Sequence, residues 1–212
     1  KGIENFNVSK VKEFSSMFYN CLSLTKLDLR NWVTSSATTF QDMFSTCYNL
    51  EVIRVDNFDT SKVNTGTGLN AMFSYCQKVK TLNLNSFVNP GLGNFLHFCN
   101  NCTSLEYVSA QNFVWGKCSA IQGAFTNCKS LKMLDLTNFD GASISTTGSL
   151  RLSGFNTLTC PIYYNSNKCT QYDTHITNLP NAIDVKGRLI AIYTFDNTVL
   201  NLPLLSLKAL LA

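Results

Sequence analysis

Cys99-Asn100-Asn101-Cys102 places two thiols three residues apart, the spacing of a redox pair or of half a metal site. A second C-x-x-C is missing from the chain, so the sequence does not build a four-cysteine zinc site. His97 and His175 are the only histidines, and neither has a Ser or Cys nucleophile placed beside it by spacing. Paired carboxylates of the general acid–base kind are absent. Asp28 and Asp135 fall at outward positions of short strand-like segments, where a solvated face is expected. Gly66-Thr67-Gly68 is a weak match to a phosphate loop. The chain is therefore expected not to be an enzyme, with no catalytic residue, no metal and no cofactor.

The cysteines have a plainer explanation in their register. Cys21, Cys47, Cys76, Cys102 and Cys128 are separated by 26, 29, 26 and 26 residues. Trp32, Phe58, Phe87, Phe113 and Phe139 keep the same intervals. A period in this range marks a stacked repeat. Cys99 stands where Phe18, Phe44, Phe73 and Phe125 stand, and Cys118 fills the apolar slot of Val11, Ala37, Val63 and Leu92. These seven thiols are expected to be small buried hydrophobes. Adjacent ladder cysteines are expected to stay unbridged, because packed helices lie roughly 8–10 Å apart and a disulfide needs Cα atoms within about 7 Å. Cys160 and Cys169 lie outside the register, and a disulfide between them is one alternative there.

Two kinds of element must hold these positions. Phe14, Met17, Phe18 and Cys21 sit at i, i+3, i+4 and i+7, which predicts a helical stretch of about two turns. Phe40-Met43-Phe44-Cys47 and Leu69-Met72-Phe73-Cys76 repeat the pattern. After each cysteine the unit reads L-x-x-L-x-L-x-x-F, whose alternating core predicts a short half-buried strand. The fold class expected is an α/β repeat solenoid, leucine-rich-repeat-like, with short helical turns, short parallel strands and a C-terminal cap. The solenoid is expected to span residues 1–139, in about five units. Residues 140–188 are read as a shortened repeat, with a strand around Leu150, Leu152 and Phe155, followed by a polar cap from Cys160 to Pro180. Residues 189–212 are read as the start of a following module or an interface segment, opening with strand-like alternation from Leu189 to Phe195. Ile3-Glu4-Asn5-Phe6 matches Val55-Asp56-Asn57-Phe58, so the sequence is expected to be part of something longer.

Composition narrows the partners. Charged residues make up 14% of the 212 residues and the net charge is +4, with no dense Lys/Arg run. Nucleic acid is not expected as a partner. No window of 18 uncharged apolar residues occurs, so no membrane insertion of this segment is expected.

Met17-Phe18-Tyr19-Asn20-Cys21-Leu22-Ser23-Leu24-Thr25-Lys26-Leu27-Asp28-Leu29 and Asn57-Phe58-Asp59-Thr60-Ser61-Lys62-Val63 resemble the BspA-like leucine-rich repeats. The resemblance covers residues 1–139 and brings no catalytic residue. It implies a secreted or cell-surface adhesion module of bacteria, binding a protein or glycan on a host or bacterial surface. The alternative it implies is a phage structural protein, a virion tail or decoration component attaching to a host. Binding is expected on the strand face, at Arg54, Asn83, Tyr107 and Met133, of which Arg54, Tyr107 and Met133 are of types enriched at interface centres. Further modules or subunits are expected to contact residues 189–212.

Overall fold

A computed structural model describes residues 2–64, 66–88, 94–109, 120–135, 157–164 and 181–184. Seven short strands follow a single 3-10 turn at Ile3–Asn5. They are β1 Lys26–Asp28, β2 Val52–Arg54, β3 Thr81–Asn83, β4 Tyr107–Ser109, β5 Leu134–Asp135, β6 Ile162–Tyr164 and β7 Ala182–Asp184. In β1 to β3 the middle residue, Leu27, Ile53 or Leu82, points into the core while its neighbours do not. All pairing is parallel, but it breaks into separate sheets: β1-β2, β3-β4 and β5-β6-β7. The break between β2 and β3 coincides with the one 29-residue interval.

The segments expected to be helical are not. Among the described residues there is no α-helix. The fold is β-rich and discontinuous rather than a helix-and-strand leucine-rich-repeat solenoid. The reason lies in two residues of each segment. Ser16 and Asn20 have φ of 57° and 59°, in the left-handed region. So do Asp42 and Thr46, Ala71 and Tyr75, His97 and Asn101, and Gly123 and Asn127. A right-handed helix cannot continue through such a residue. Each segment is instead a run of tight turns. The Met17, Tyr19 and Cys21 N–H groups donate to the Phe14, Ser16 and Phe18 carbonyls, three residues back.

The left-handed residues turn alternate N–H groups outward along the stack. Phe14, Ser16, Phe18 and Asn20 donate to the carbonyls of Thr39, Gln41, Met43 and Ser45 at 2.8–3.1 Å. Phe40, Asp42, Phe44 and Thr46 donate in turn to Gly68, Asn70, Met72 and Ser74. Phe95, His97, Cys99 and Asn101 do the same to Ala120, Gln122, Ala124 and Thr126. A left-handed non-glycine residue costs roughly 1–2 kcal/mol. Each is offset by a backbone hydrogen bond that would otherwise be unmade inside the stack. Residues 13–21, 39–47, 68–76, 94–102 and 120–128 thus form five turn layers, joined across the gap between β2 and β3 as well as within each sheet.

The core runs between the turn layers and the strands. Phe14 stacks on Phe40 at 5.3 Å, Phe18 on Phe44 at 5.5 Å and Phe44 on Phe73 at 5.4 Å. Phe58 and Phe87 stack at 6.4 Å across the gap between β2 and β3. Trp32, Phe58 and Phe87 are buried, while Phe113 and Phe139 lie outside the described residues. Trp32 Nε1 donates to the Ile3 carbonyl at 2.9 Å, which ties the opening turn to the first layer.

The C-terminal part continues the parallel pairing. The strand after β5 is β6, which pairs Leu134 with Ile162, inside the segment expected to be a polar cap. β7 then continues the sheet, pairing Ile162 with Ala182. The strand expected around Leu150, Leu152 and Phe155 lies outside the described residues, as do Leu189–Phe195 and the rest of 189–212.

Candidate functional site

The turn layers bring the cysteines into one column. Each turn ends on its cysteine, so stacking the turns stacks the thiols. Cys47 Sγ donates to the Phe18 carbonyl at 3.0 Å, and Cys76 Sγ to the Phe44 carbonyl at 3.2 Å. Cys102 Sγ donates to Phe73 and Cys128 Sγ to Cys99, both at 3.0 Å. In every case the acceptor sits three residues before the cysteine of the layer below. That carbonyl already accepts the N–H of its own layer's cysteine, at 3.1–3.2 Å. Both of its lone pairs are therefore used, one within the layer and one between layers.

Burial makes Cys47, Cys76, Cys99, Cys128 and Cys160 poor nucleophiles. Loss of water pushes the Cys47 thiol up to about 11. Cys160 is raised to about 11 by the same cause. Cys76, Cys99 and Cys128 are raised further, by desolvation first and by neighbouring thiols second. The thiolate is the reactive species in exchange and metal binding, and here it is suppressed. Cys99 and Cys102 are both buried free thiols. Cys160 is also a buried free thiol, and Cys169 lies outside the described residues, as do Cys118 and His175. Cys21 differs from the rest of the column in being only half-buried. No group of three or more metal-binding side chains occurs among the described residues.

The four residues expected to share a binding face are divided among the sheets. Arg54 ends β2 in the first sheet, and Asn83 and Tyr107 belong to β3 and β4 in the second. Met133 lies one residue before β5, outside any strand. All four are half-buried. Nearby, Asp28 and Arg30 form an exposed ion pair at 2.6 Å, and the Arg30 guanidinium holds the Asp28 carboxyl below its usual range. The discontinuous β-rich fold gives no structural basis for the expected adhesion module, whose ligand was to bind along a continuous repeat surface. The virion alternative relied on the same surface and falls with it. His97 is exposed, and its ring overlies Gly123 of the next layer. The left-handed column was missed from the sequence, although Asn20, Asn101 and Asn127 immediately before their cysteines were a readable signal for it.

Fold and thiol column together define a β-rich stack of tight-turn layers with a sealed sulfur core. The chain belongs to the family described as "Mycoplasma protein of unknown function, DUF285", whose model matches residues 1–113. That match replaces the BspA-like leucine-rich-repeat resemblance. No curated protein and no solved structure matches the chain. Among the described residues no helix is long and apolar enough to cross a membrane.

Proposed function

We propose that this segment performs no catalysis and serves as a structural spacer, whose length is set by the number of layers. The observation that carries this reading is the layer-to-layer bonding. Alternate N–H groups of the turn layers, and four thiols, are spent on carbonyls of the adjoining layer. Chemistry-bearing groups used in this way stiffen the stack and are withheld from a substrate. We also assign it to the cell surface or the extracellular space, where thiols shielded from water resist oxidation.

The test is a distance measurement. Spin-labelled amino acids at the exposed positions 26 and 132 should give a narrow distance distribution. Deleting residues 48–76, one whole layer with its strand, should shorten that distance by about 5 Å, the spacing of neighbouring strands. A broad distribution, or a distance that ignores the deletion, would overturn the spacer reading.

A further inference from the structure

Each unit has three edges: its turn layer, its strand and the segment after its aromatic residue. Where β2 meets β3 these edges are not bonded alike. Within the first sheet the Leu29 N–H donates to the Arg54 carbonyl, and the Glu51 and Val52 N–H groups both donate to Thr25, at 2.8–3.2 Å. Within the second sheet Leu84 donates to Ser109, and Glu106 and Tyr107 donate to Lys80, at 2.7–3.2 Å. Between the sheets the counterpart N–H groups of Val55, Lys80 and Thr81 make no bond to the Asn83 or Glu51 carbonyls. The strand edge is therefore unbonded at this seam. The other two edges are closed across it. On the turn edge Phe40, Asp42, Phe44 and Thr46 donate to Gly68, Asn70, Met72 and Ser74 at 2.7–3.0 Å. On the third edge the buried Thr60 Oγ1 donates to the Val88 carbonyl at 3.0 Å and accepts the Val88 N–H at 2.9 Å. Thr34 Oγ1 clamps Asp59 in the same way one unit earlier.

The side chains at the seam follow the backbone. Phe58 and Phe87 stack at 6.4 Å, the longest ring contact among the described residues, while Phe44 and Phe73 on the turn edge keep 5.4 Å. Asp56 Oδ2 and Ser86 Oγ lie just past the ends of β2 and β3. They are the two buried side-chain polar atoms without a hydrogen-bond partner among the described residues. We propose that this seam is a built-in hinge. Under load or denaturant the strand edge parts between β2 and β3, while the turn edge and the Thr60 clamp stay bonded and form the axis. Parting here breaks no backbone hydrogen bond between strands, and it admits water to polar groups that are unpaired when the seam is closed. The same motion between β1 and β2, or between β3 and β4, would break strand bonds first, and regions with fewer such bonds open before the rest. Without load the seam is closed by the Phe58–Phe87 stack, and the distance between positions 26 and 132 stays narrow. A stretched spacer of this build bends at one place before any layer unfolds. That use rests on the spacer reading, whereas the hinge itself does not.

The experiment follows three pairs of spin-labelled amino acids by dipolar broadening as urea is raised to the unfolding midpoint. The pairs stand at 52 and 81 across the seam, at 26 and 52 within the first sheet, and at 41 and 70 on the turn edge. The 52–81 separation should lengthen by about 5 Å, one strand spacing, well below the midpoint, with the other two pairs unchanged until it. In Thr60→Val, which removes the clamp, that lengthening should begin at lower urea, and Thr60→Ser should match the parent. The hinge is overturned if the 52–81 pair separates only at the midpoint together with the 26–52 pair, or if the 41–70 pair separates first. Thr60→Val opening at the same urea concentration as the parent overturns the clamp as part of the axis.

Discussion

Gly123 is where the left-handed column and the side-chain packing can be separated by measurement. Its φ is +66°, the same conformation that Ser16, Asp42, Ala71 and His97 adopt at this place in the other layers. An added Cβ would lie 2.4 Å from His97 Nδ1 and 2.8 Å from His97 Cε1. Gly123→Ala therefore incurs two costs. The left-handed backbone with a Cβ costs about 1–2 kcal/mol. Pushing the His97 ring from its rotamer adds about 0.5–1.5 kcal/mol. Together they predict a loss of about 2–3 kcal/mol in urea denaturation. In a His97→Ala background the second cost disappears, so Gly123→Ala should then cost only about 1–2 kcal/mol. Ala71 shows that alanine is accommodated in this conformation where the matching residue of the layer before is Asp42 rather than a histidine. A Gly123→Ala variant as stable as the parent would refute the left-handed assignment. An equal cost in both backgrounds would refute the His97 contact.

Phe87 is buried and stacked on Phe58 across the gap between β2 and β3, so Phe87→Ala should cost about 3–5 kcal/mol by thermal or urea unfolding. A variant that melts with the parent would mean that the two sheets are not packed as described. The thiols predict a pH effect. Cys47 keeps its proton more tightly when folded, with its pKa raised from the ordinary 9.0 to about 11. Its stabilising contribution is thus complete below pH 9 and is lost as the pH rises toward 11. The melting temperature should decline across that window, and less steeply in Cys47→Ala. Equal slopes in the two proteins would rule the contribution out.

The sequence shows where apolar side chains go more clearly than how the backbone carries them. Lys26-Leu27-Asp28 alternates and is a strand, as are the matching segments at Val52–Arg54 and Thr81–Asn83. Phe14, Phe18, Phe40, Met43 and Phe44 are buried at the spacing of a helical face. A helix and a run of tight turns can bury the same positions, because both return the chain to one side every three to four residues. What separates them is a single dihedral at two places per layer, and Ser16, Thr46, Ala71 and Tyr75 carry little preference that would announce it. Asn and Gly do carry one, and the Asn-Cys pairs at 20, 101 and 127 with Gly123 outline the column in retrospect. β6 was obscured for another reason. Ile162-Tyr163-Tyr164 puts tyrosines at the places of the polar Asp28, Arg54, Asn83 and Asp135 and of the aliphatic Leu29, Val55 and Leu84, so its composition reads as a Tyr-containing cap rather than as a further strand. Side-chain alternation fixes which way a strand residue points, whereas sharing a sheet depends on pairing that a single sequence does not encode, so the division of β1 to β4 between two sheets was not legible.

The uniform direction of the backbone hydrogen bonds between turn layers has an electrostatic consequence. In each bonded layer the peptide groups that join it to the next point their N–H toward the C-terminal end of the stack. Peptide dipoles aligned in this way add, as they do in an α-helix, but with the opposite sense relative to chain direction. The turn column therefore carries its partial negative pole at the first layer and its partial positive pole at the last. Cationic side chains are favoured near Glu13–Tyr19 and anionic ones beyond Asn127. A chain with no α-helix among its described residues thus acquires a macrodipole of its own, and lengthening the stack extends it.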